Sequence, residues 1–385
     1  MQPTLELNST TPEVTLAIGL ELSQGSWKLA LQDGRHEKPA IHTVADEDAQ
    51  ERLKHLVKLV KEVHRKWKLR RENATVLLYE AGQDGFWIAR ALEKQGLGCL
   101  VADAASIQVD RRARRAKTDR LDAIRLVNTL RGWLRGERDR MQVVRIPDEK
   151  AEARRHLVRD RGELQKEVQQ HQDRMRKLLR TVGCWNAIGS DFAQRLKRGE
   201  IRQHDGTALA PELRDRLLRE CERLALVQNE LAVLERSLLK QLPEDEQQKV
   251  AQLAGLKGIG EIGALRLCLE LFWRNFTNQR QVGACVGLVP QPYDSGQSRV
   301  DQGISKQGNR RVRALLIEMA WMWLRYQPKS TLAHWFAKRT KGSGPNKRQR
   351  RIMIVAVARR LAIALWRYSK EGVIPEGVKL KAVRH

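Results

Sequence analysis

Two groups of residues in this chain are suited to chemistry, and they lie far apart in sequence. The first is the stretch 290–313, PQPYDSGQSRVDQGISKQGNRRVR, centred on Ser295 between Asp294 and Gly296. A hydroxyl beside a glycine in a polar loop is accessible, and the glycine lets another backbone approach closely. Arg299, Lys306, Arg310, Arg311 and Arg313 follow it, and cations of this kind hold phosphate oxygens, arginine in bidentate fashion. The set has what nucleophilic attack on a phosphodiester requires. Ser298 and Ser305 compete for the role, but Ser305 precedes the apolar run through Val312 and Leu315 and reads as a cap for the helix starting there. The simpler alternative is a turn on a nucleic-acid-binding surface, since Asp-Ser-Gly is ordinary turn chemistry.

The second group is four carboxylates: Glu21, Glu80, Asp119 and Asp122. Residues 14–22, VTLAIGLEL, alternate as a strand does, with Val14, Leu16, Ile18, Leu20 and Leu22 on one face and the small residues Ala17 and Gly19 beside Glu21 on the other. Residues 75–80, TVLLYE, form a short buried strand ending on Glu80. Thr118 is placed to cap a helix whose first turn carries Asp119 and Asp122 on one face. Such a set suits hard divalent cations: magnesium takes oxygen ligands in octahedral geometry, and a pair of such ions stabilises both oxygens of a phosphoryl displacement. Taken singly, Glu21 and Glu80 read equally well as strand-end acids paired with lysines. Asp119 and Asp122 read as acids favoured by a helix N-terminus.

The elements that must position these groups can be traced along the chain. A hairpin joins 14–22 to a strand at 26–32, a helix runs over 48–67, a second covers 86–94, and a further strand covers 98–103. Arg111, Arg112, Arg114, Arg115 and Lys117 form a basic run just ahead of Thr118. From 150 to 180 and again from Pro211 to Leu238, apolar residues recur at heptad-like spacing, predicting two long helices in an antiparallel hairpin or an oligomeric coiled coil, with His171 packed on the seam. Residues 253–267, LAGLKGIGEIGALRL, resemble a helix-hairpin-helix in which Gly258 and Gly260 let backbone amides meet a DNA phosphate; a glycine turn between core helices would look similar. Helical character is expected over 273–287, then over 312–326 with Trp321 and Trp323 in the core. Residues 338–351, KRTKGSGPNKRQRR, read as a mobile phosphate-binding loop before a closing core helix at 352–368. The expected fold is α/β plus α, with segments 1–150, 151–250 and 251–385.

The 385 residues carry a formal charge of +26, which points to a polyanionic partner, because phosphate neutralisation supplies most non-specific nucleic-acid affinity. A membrane surface is the rival. Against it, the apolar run 352–358 is cut by Arg359 and Arg360 and is too short to span a bilayer, and residues 1–13 are unlike a signal peptide, so a cytoplasmic protein is expected. The five cysteines show no Cys-x-x-Cys spacing, which argues against zinc fingers and a disulfide framework.

Several motifs resemble a known family, the bacterial insertion-sequence transposases with a DEDD catalytic domain called the IS-one-ten family. They are IGLELS at 18–23, YEAG at 79–82, KTDRLDA at 117–123, the glycine-rich 255–264, GLVP at 287–290, Ser295-Gly296 and ISKQGNR at 304–310. The resemblance spans most of the chain in the family's order. It implies a RuvC-like, ribonuclease-H-fold first domain whose tetrad maps to Glu21, Glu80, Asp119 and Asp122, a central coiled coil, and a mainly helical last domain with its catalytic serine at Ser295. It further implies a recombinase acting on donor and target DNA as a homo-oligomer, dimer or tetramer, with Mg2+ at the acids and a noncoding bridge RNA that supplies sequence choice by base pairing. The first acid of that tetrad is usually aspartate; Glu21 keeps the charge and reaches one methylene farther, so its geometry is shifted. Two other classes stay open: a RuvC-like metal-dependent junction endonuclease without serine chemistry, and a non-catalytic nucleic-acid-binding protein derived from such an enzyme.

Overall fold

A strand with one large-residue face and one small-residue face asks for two different coverings, and β1 (Leu16–Leu22) receives both. The computed structural model describes residues 15–70, 74–82, 85–107, 118–295, 298–340 and 347–382, in two compact units, Met1–Pro147 and Asp148–His385.

In the first unit β1 pairs antiparallel with β2 (Ser26–Gln32), which pairs antiparallel with β3 (Ala40–Ala45). After α1 (Ala49–Lys66) the chain returns as β4 (Thr75–Glu80), parallel to β1, and after α2 (Trp87–Lys94) as β5 (Gly98–Ala102), parallel to β4. The sheet order is β3-β2-β1-β4-β5. Leu16, Ile18 and Leu20 join Leu77, Tyr79 and Val101 in a core with Leu56 and Val60 of α1 and Ile88 and Leu92 of α2. The opposite face, Ala17, Ala30, Val76, Leu78 and Ala102, packs on Ala123, Leu126, Val127 and Leu130 of α3 (Asp119–Leu134). Asp48 caps α1 at the Glu51 amide and Thr118 caps α3 at the Leu121 amide. The strand β3 is absent from the sequence reading, because AIHTVA is a largely half-exposed edge strand whose Thr43 accepts a hydrogen bond from Lys28, and such a strand has no buried period-two face to betray it.

In the second unit α4 (Glu149–Arg180) lies antiparallel to α6 (Pro211–Leu238), with the short α5 (Phe192–Lys197) between them in sequence. Val168, Met175 and Leu179 pack with Leu217, Leu224 and Val227, and Pro211 occupies the first turn of α6. His171 is on the seam, its Nδ1 2.7 Å from the buried Glu220 carboxylate, which Arg174 and Arg223 also hold. Then come α7 (Glu244–Ala254), α8 (Glu261–Leu267), a π-helical turn (Cys268–Phe272), α9 (Gln279–Cys285), β6 (Pro290–Ser295), β7 (Ser298–Ile304), α10 (Arg310–Tyr326), α11 (Thr331–Thr340) and α12 (Lys347–Glu371). Their core gathers Leu253, Leu271, Val282, Leu316, Trp323, Val357 and Leu361, and takes in Val158 of α4 and Leu238 of α6.

Ser305 does not cap α10: Asn309 does, accepting from the Arg311 and Val312 amides, while the Ser305 amide donates to Val289. Residues 273–287 are not one helix, because the π-helical turn ends at Phe272 and α9 starts only at Gln279. Trp323 is fully buried with its Nε1 donating to Ser330, but Trp321 is 40% exposed and stands edge-on to Phe336. The basic stretch 338–351 is entered by helix from both ends, α11 running to Thr340 and α12 starting at Lys347; residues 341–346 lie outside the described residues. No helix among the described residues is long and apolar enough to cross a membrane.

Candidate active site

The acidic site is built from β1, β4 and the start of α3. Gly19 pairs with Leu78 at the last position of the parallel β1–β4 ladder; Glu21 and Glu80, each two residues farther along its own strand, lie on the face that α3 covers. The close approach of α3 depends on Gly19: a Cβ there would lie 2.4 Å from the Ala123 carbonyl oxygen and 2.5 Å from the Val127 amide nitrogen. Without a side chain at that point the helix lies directly on the strand. Its first turn, with Asp119 and Asp122, is therefore held at the end of the sheet where both glutamates emerge.

The electrostatics register that convergence. The Glu21 carboxyl is pushed up to about 7, first by partial burial and then by the negative charges of Asp122, Glu80 and Asp119, in that order, with Arg125 opposing them. Lys28 lies directly across from Glu21 on β2, yet its amine donates to Thr43, so the lysine that would make Glu21 a plain strand-end ion pair is engaged elsewhere. Arg125 is the residue that sequence reading missed. Its guanidinium stands 3.2 Å from Asp122 Oδ1 and 3.6 Å from Glu80 Oε2, and its Nε is buried without a hydrogen-bond partner. Its position three residues after Asp122 in DRLDAIR is the signal that would have found it.

Among the described residues no group of three or more histidine, cysteine, aspartate or glutamate side chains is arranged to hold a metal ion. The donor set, carboxylates alone, has the chemistry of a hard divalent cation site; Arg125 stands between Glu80 and Asp122.

The serine site is built differently. Ser295 ends β6 and pairs opposite Ser298 at the start of β7, with Asp294 opposite Arg299, so the expected polar loop is an antiparallel ribbon. The side chains of 292–301, and with them Ser295 and Arg299, lie outside the described residues, as do Gly296 and the basic run Arg111, Arg112, Arg114, Arg115 and Lys117. The base of the ribbon is tied down by backbone. The Ser305 amide donates to Val289, Lys306 to Gly287 and Asn309 to Cys285. Gly287 (φ 64°) and Gly308 (φ 79°) allow this: a Cβ on Gly287 would lie 1.9 Å from the Gln307 carbonyl oxygen, and one on Gly308 2.2 Å from that of Cys285. The GLVP and ISKQGNR motifs are thus two halves of one scaffold.

The cations around the ribbon divide. Lys306, at φ 56°, and Arg310 are exposed. Arg311 pairs with Glu163 of α4. Arg313 donates to the Val286 and Gln307 carbonyls, which makes it part of the scaffold. Behind the scaffold the buried Glu270 of the π-helical turn takes Arg159 of α4 at 2.9 Å and Asn309 at 2.9 Å, which holds its carboxyl below the usual range against the cost of burial. Gly258, at φ 93°, packs on Tyr326 and Met322 of α10, and Gly260 caps α8. The Ile259 carbonyl between them accepts from Lys381.

A mixed five-stranded sheet in the order β3-β2-β1-β4-β5, with acids at the ends of its two central strands and on the covering helix, is consistent with the ribonuclease-H-like domain of DEDD transposases. Residues 18–183 match the family of DEDD transposases of IS110 type, described as a transposase, and residues 250–334 match the family described as Transposase IS116/IS110/IS902. The chain is 38% identical to "Putative transposase y4rJ" of Sinorhizobium fredii over 379 residues, 94% of each chain. It is 29% identical to the transposase for insertion sequence element IS1328 of Yersinia enterocolitica over 234 residues, 60% of this chain and 66% of the relative. The chain belongs to the IS110 (IS-one-ten) family of insertion-sequence transposases and is a DNA transposase.

Proposed function

We propose that this transposase cuts and rejoins DNA strands through Ser295, assisted by Mg2+ held at Glu21, Glu80, Asp119 and Asp122. The observation that carries the reading is the convergence of four carboxylates from three elements, felt at Glu21. Ser295 Oγ bonds to the phosphorus of the scissile phosphodiester, a deoxyribose oxygen leaves with a proton, and the strand is held as a phosphoserine ester until the reverse step joins it to a new end. Arg299, Lys306, Arg310 and Arg311 neutralise the phosphates on either side, and Arg313 supports the ribbon from below. A divalent cation, when bound, supplies charge neutralisation at the phosphoryl oxygens. Glu21, Glu80, Asp119 and Asp122 would hold that cation, with Arg125 beside Glu80 and Asp122.

The unit Met1–Pro147 supports a RuvC-like catalytic segment over 1–150. We assign 151–250 to a helical spacer that mediates dimer or tetramer formation as a coiled coil, and 251–385 to the transposase segment with its helix-hairpin-helix-like turn at Gly258 and Gly260. The basic run 111–117 and the +26 charge suit donor and target DNA together with a noncoding bridge RNA. The site of action is the bacterial cytoplasm.

The test is trapping of a covalent complex on a denaturing gel from purified protein, cognate RNA, magnesium and labelled donor-junction DNA. An adduct formed by the wild type, absent in Ser295→Ala and in Asp122→Ala, and dependent on the RNA, is expected. Cutting without an adduct, insensitive to Ser295→Ala but lost in Asp122→Ala, would establish a metal-dependent junction endonuclease instead.

A further inference from the structure

A cavity of about 1260 Å³ opens in the second unit along α12, between α11 and the base of the β6–β7 ribbon. It exceeds the roughly 300–1,000 Å³ of small-molecule pockets. Its floor is apolar, with Ile304, Trp335, Val355 and Ile363; its rim is basic, with Lys306, Arg351, Arg360 and Arg367. No carboxylate is among the described residues that line it. Arg360 stacks 4.0 Å above the Trp335 ring, and Arg339 stands 5.9 Å from the same ring. Arg359 also lines the cavity, and its Nε is buried without a hydrogen-bond partner.

An apolar floor under a rim whose charged groups, among the described residues, are all cationic selects a polyanion with apolar faces. Duplex DNA offers the charge but keeps its base faces stacked inside. An unpaired strand offers both, a phosphate per nucleotide and flat bases that stack on aromatic rings and guanidinium planes. The placement suits a strand engaged at the ribbon: Pro290 of β6 and Gln302, Gly303 and Ile304 of β7 line the cavity, and Ser295 lies at the far end of β6, roughly 17 Å along the strand.

We propose that this groove holds an unpaired segment of DNA next to the strand that Ser295 attacks, with bases laid on the Trp335–Arg360 stack and phosphates on Lys306, Arg351 and Arg367. The DNA source rests on the serine reading above; the groove's preference for an unpaired strand rests on its own lining. Full-length protein is titrated with fluorescein-labelled dT12, with a 12-base-pair duplex and with U12. A dT12 strand carrying 5-iododeoxyuridine is then photocrosslinked and the attachment mapped by mass spectrometry.

Crosslinks on or beside Trp335 are expected. Trp335→Ala weakens dT12 by about tenfold or more, Trp335→Phe by about threefold or less, and neither changes duplex affinity by more than about twofold. Arg351→Gln, a change at an exposed position, lowers the single-strand salt slope by about 0.7 and serves if Trp335→Ala fails to fold. Crosslinks confined to other surfaces, or equal losses for dT12 and duplex, would overturn the proposal, and U12 bound more tightly with the same Trp335 dependence would reassign the groove to RNA. Ser295→Ala is expected to bind dT12 as the wild type does, so failure of the gel-trapping test removes the serine reading while leaving the groove measurement intact.

Discussion

The acidic group of the first unit and the serine ribbon of the second are held by opposite means. In the acidic group, charges of one sign are forced together by a close-packed backbone: the sheet register and the bare Cα of Gly19 overrule the repulsion among Glu21, Glu80, Asp119 and Asp122. In the serine ribbon no such tension is visible among the described residues, and it is anchored through backbone hydrogen bonds that two glycines at positive φ permit. The first arrangement carries an electrostatic cost, seen at Glu21; the second is fixed by backbone geometry.

The largest effect is expected at the serine scaffold. Gly287→Ala places a Cβ against the Gln307 carbonyl and keeps an unfavourable φ, so about 3 kcal/mol or more of stability is expected to be lost in the second unit, read by urea unfolding followed at its tryptophans. A variant as stable as the wild type would show that the two motifs are not one scaffold.

Gly19→Ala comes next. It pushes α3 off β1, costing about 2–3 kcal/mol by overpacking. The displaced Asp122 should lower strand cleavage by about a hundredfold, since an ångström of misplacement has that effect. Unchanged cleavage would mean that the α3 contact does not position the acids.

The stored charge gives a smaller and pH-dependent effect. Because Glu21 holds its proton up to about 7 when folded against 4.5 ordinarily, the folded state binds more protons than the unfolded chain between those values. The stability this contributes is complete below about 4.5 and is lost as pH rises through 7. Half-exposure tempers the effect to about 1–2 kcal/mol. Thermal melts of metal-free protein should show the loss for wild type, and Glu21→Gln should flatten that part of the profile.

Arg125→Met is the mildest of these changes. Removing the cation between Glu80 and Asp122 should cost under about 1 kcal/mol at this half-exposed site. It should tighten Mn2+ binding, followed calorimetrically, by about threefold through the uncovered negative charge. Weaker Mn2+ binding would indicate that Arg125 organises the acids instead of competing for them.

Much of this was open to a reading of residue order alone. The alternation in LAIGLEL, the buried TVLLYE and the Thr118 cap mark elements because each is a local pattern of period two or a local hydrogen bond. The heptads of α4 and α6 announced a helical pair for the same reason. What escaped was set by partners distant in sequence. The edge strand β3 exists because β2 offers it a ladder. Asn309 in place of Ser305 caps α10 because the buried Glu270 and the Cys285 carbonyl fix it from outside. Trp321 and Trp323 look alike in sequence, yet the second turns inward to Ser330 while the first stays exposed.

The residue types available were legible from residue order: four carboxylates at expected element ends, a serine beside glycine, and a surplus of cations suited to phosphate. That β1 and β4 run parallel, that Gly19 admits α3 and that Arg125 stands between Glu80 and Asp122 came from the folded chain. The physical reason is range. Periodicity and capping act over a few residues of chain, whereas a shared electrostatic field depends on distances in space that only strand register and helix packing set.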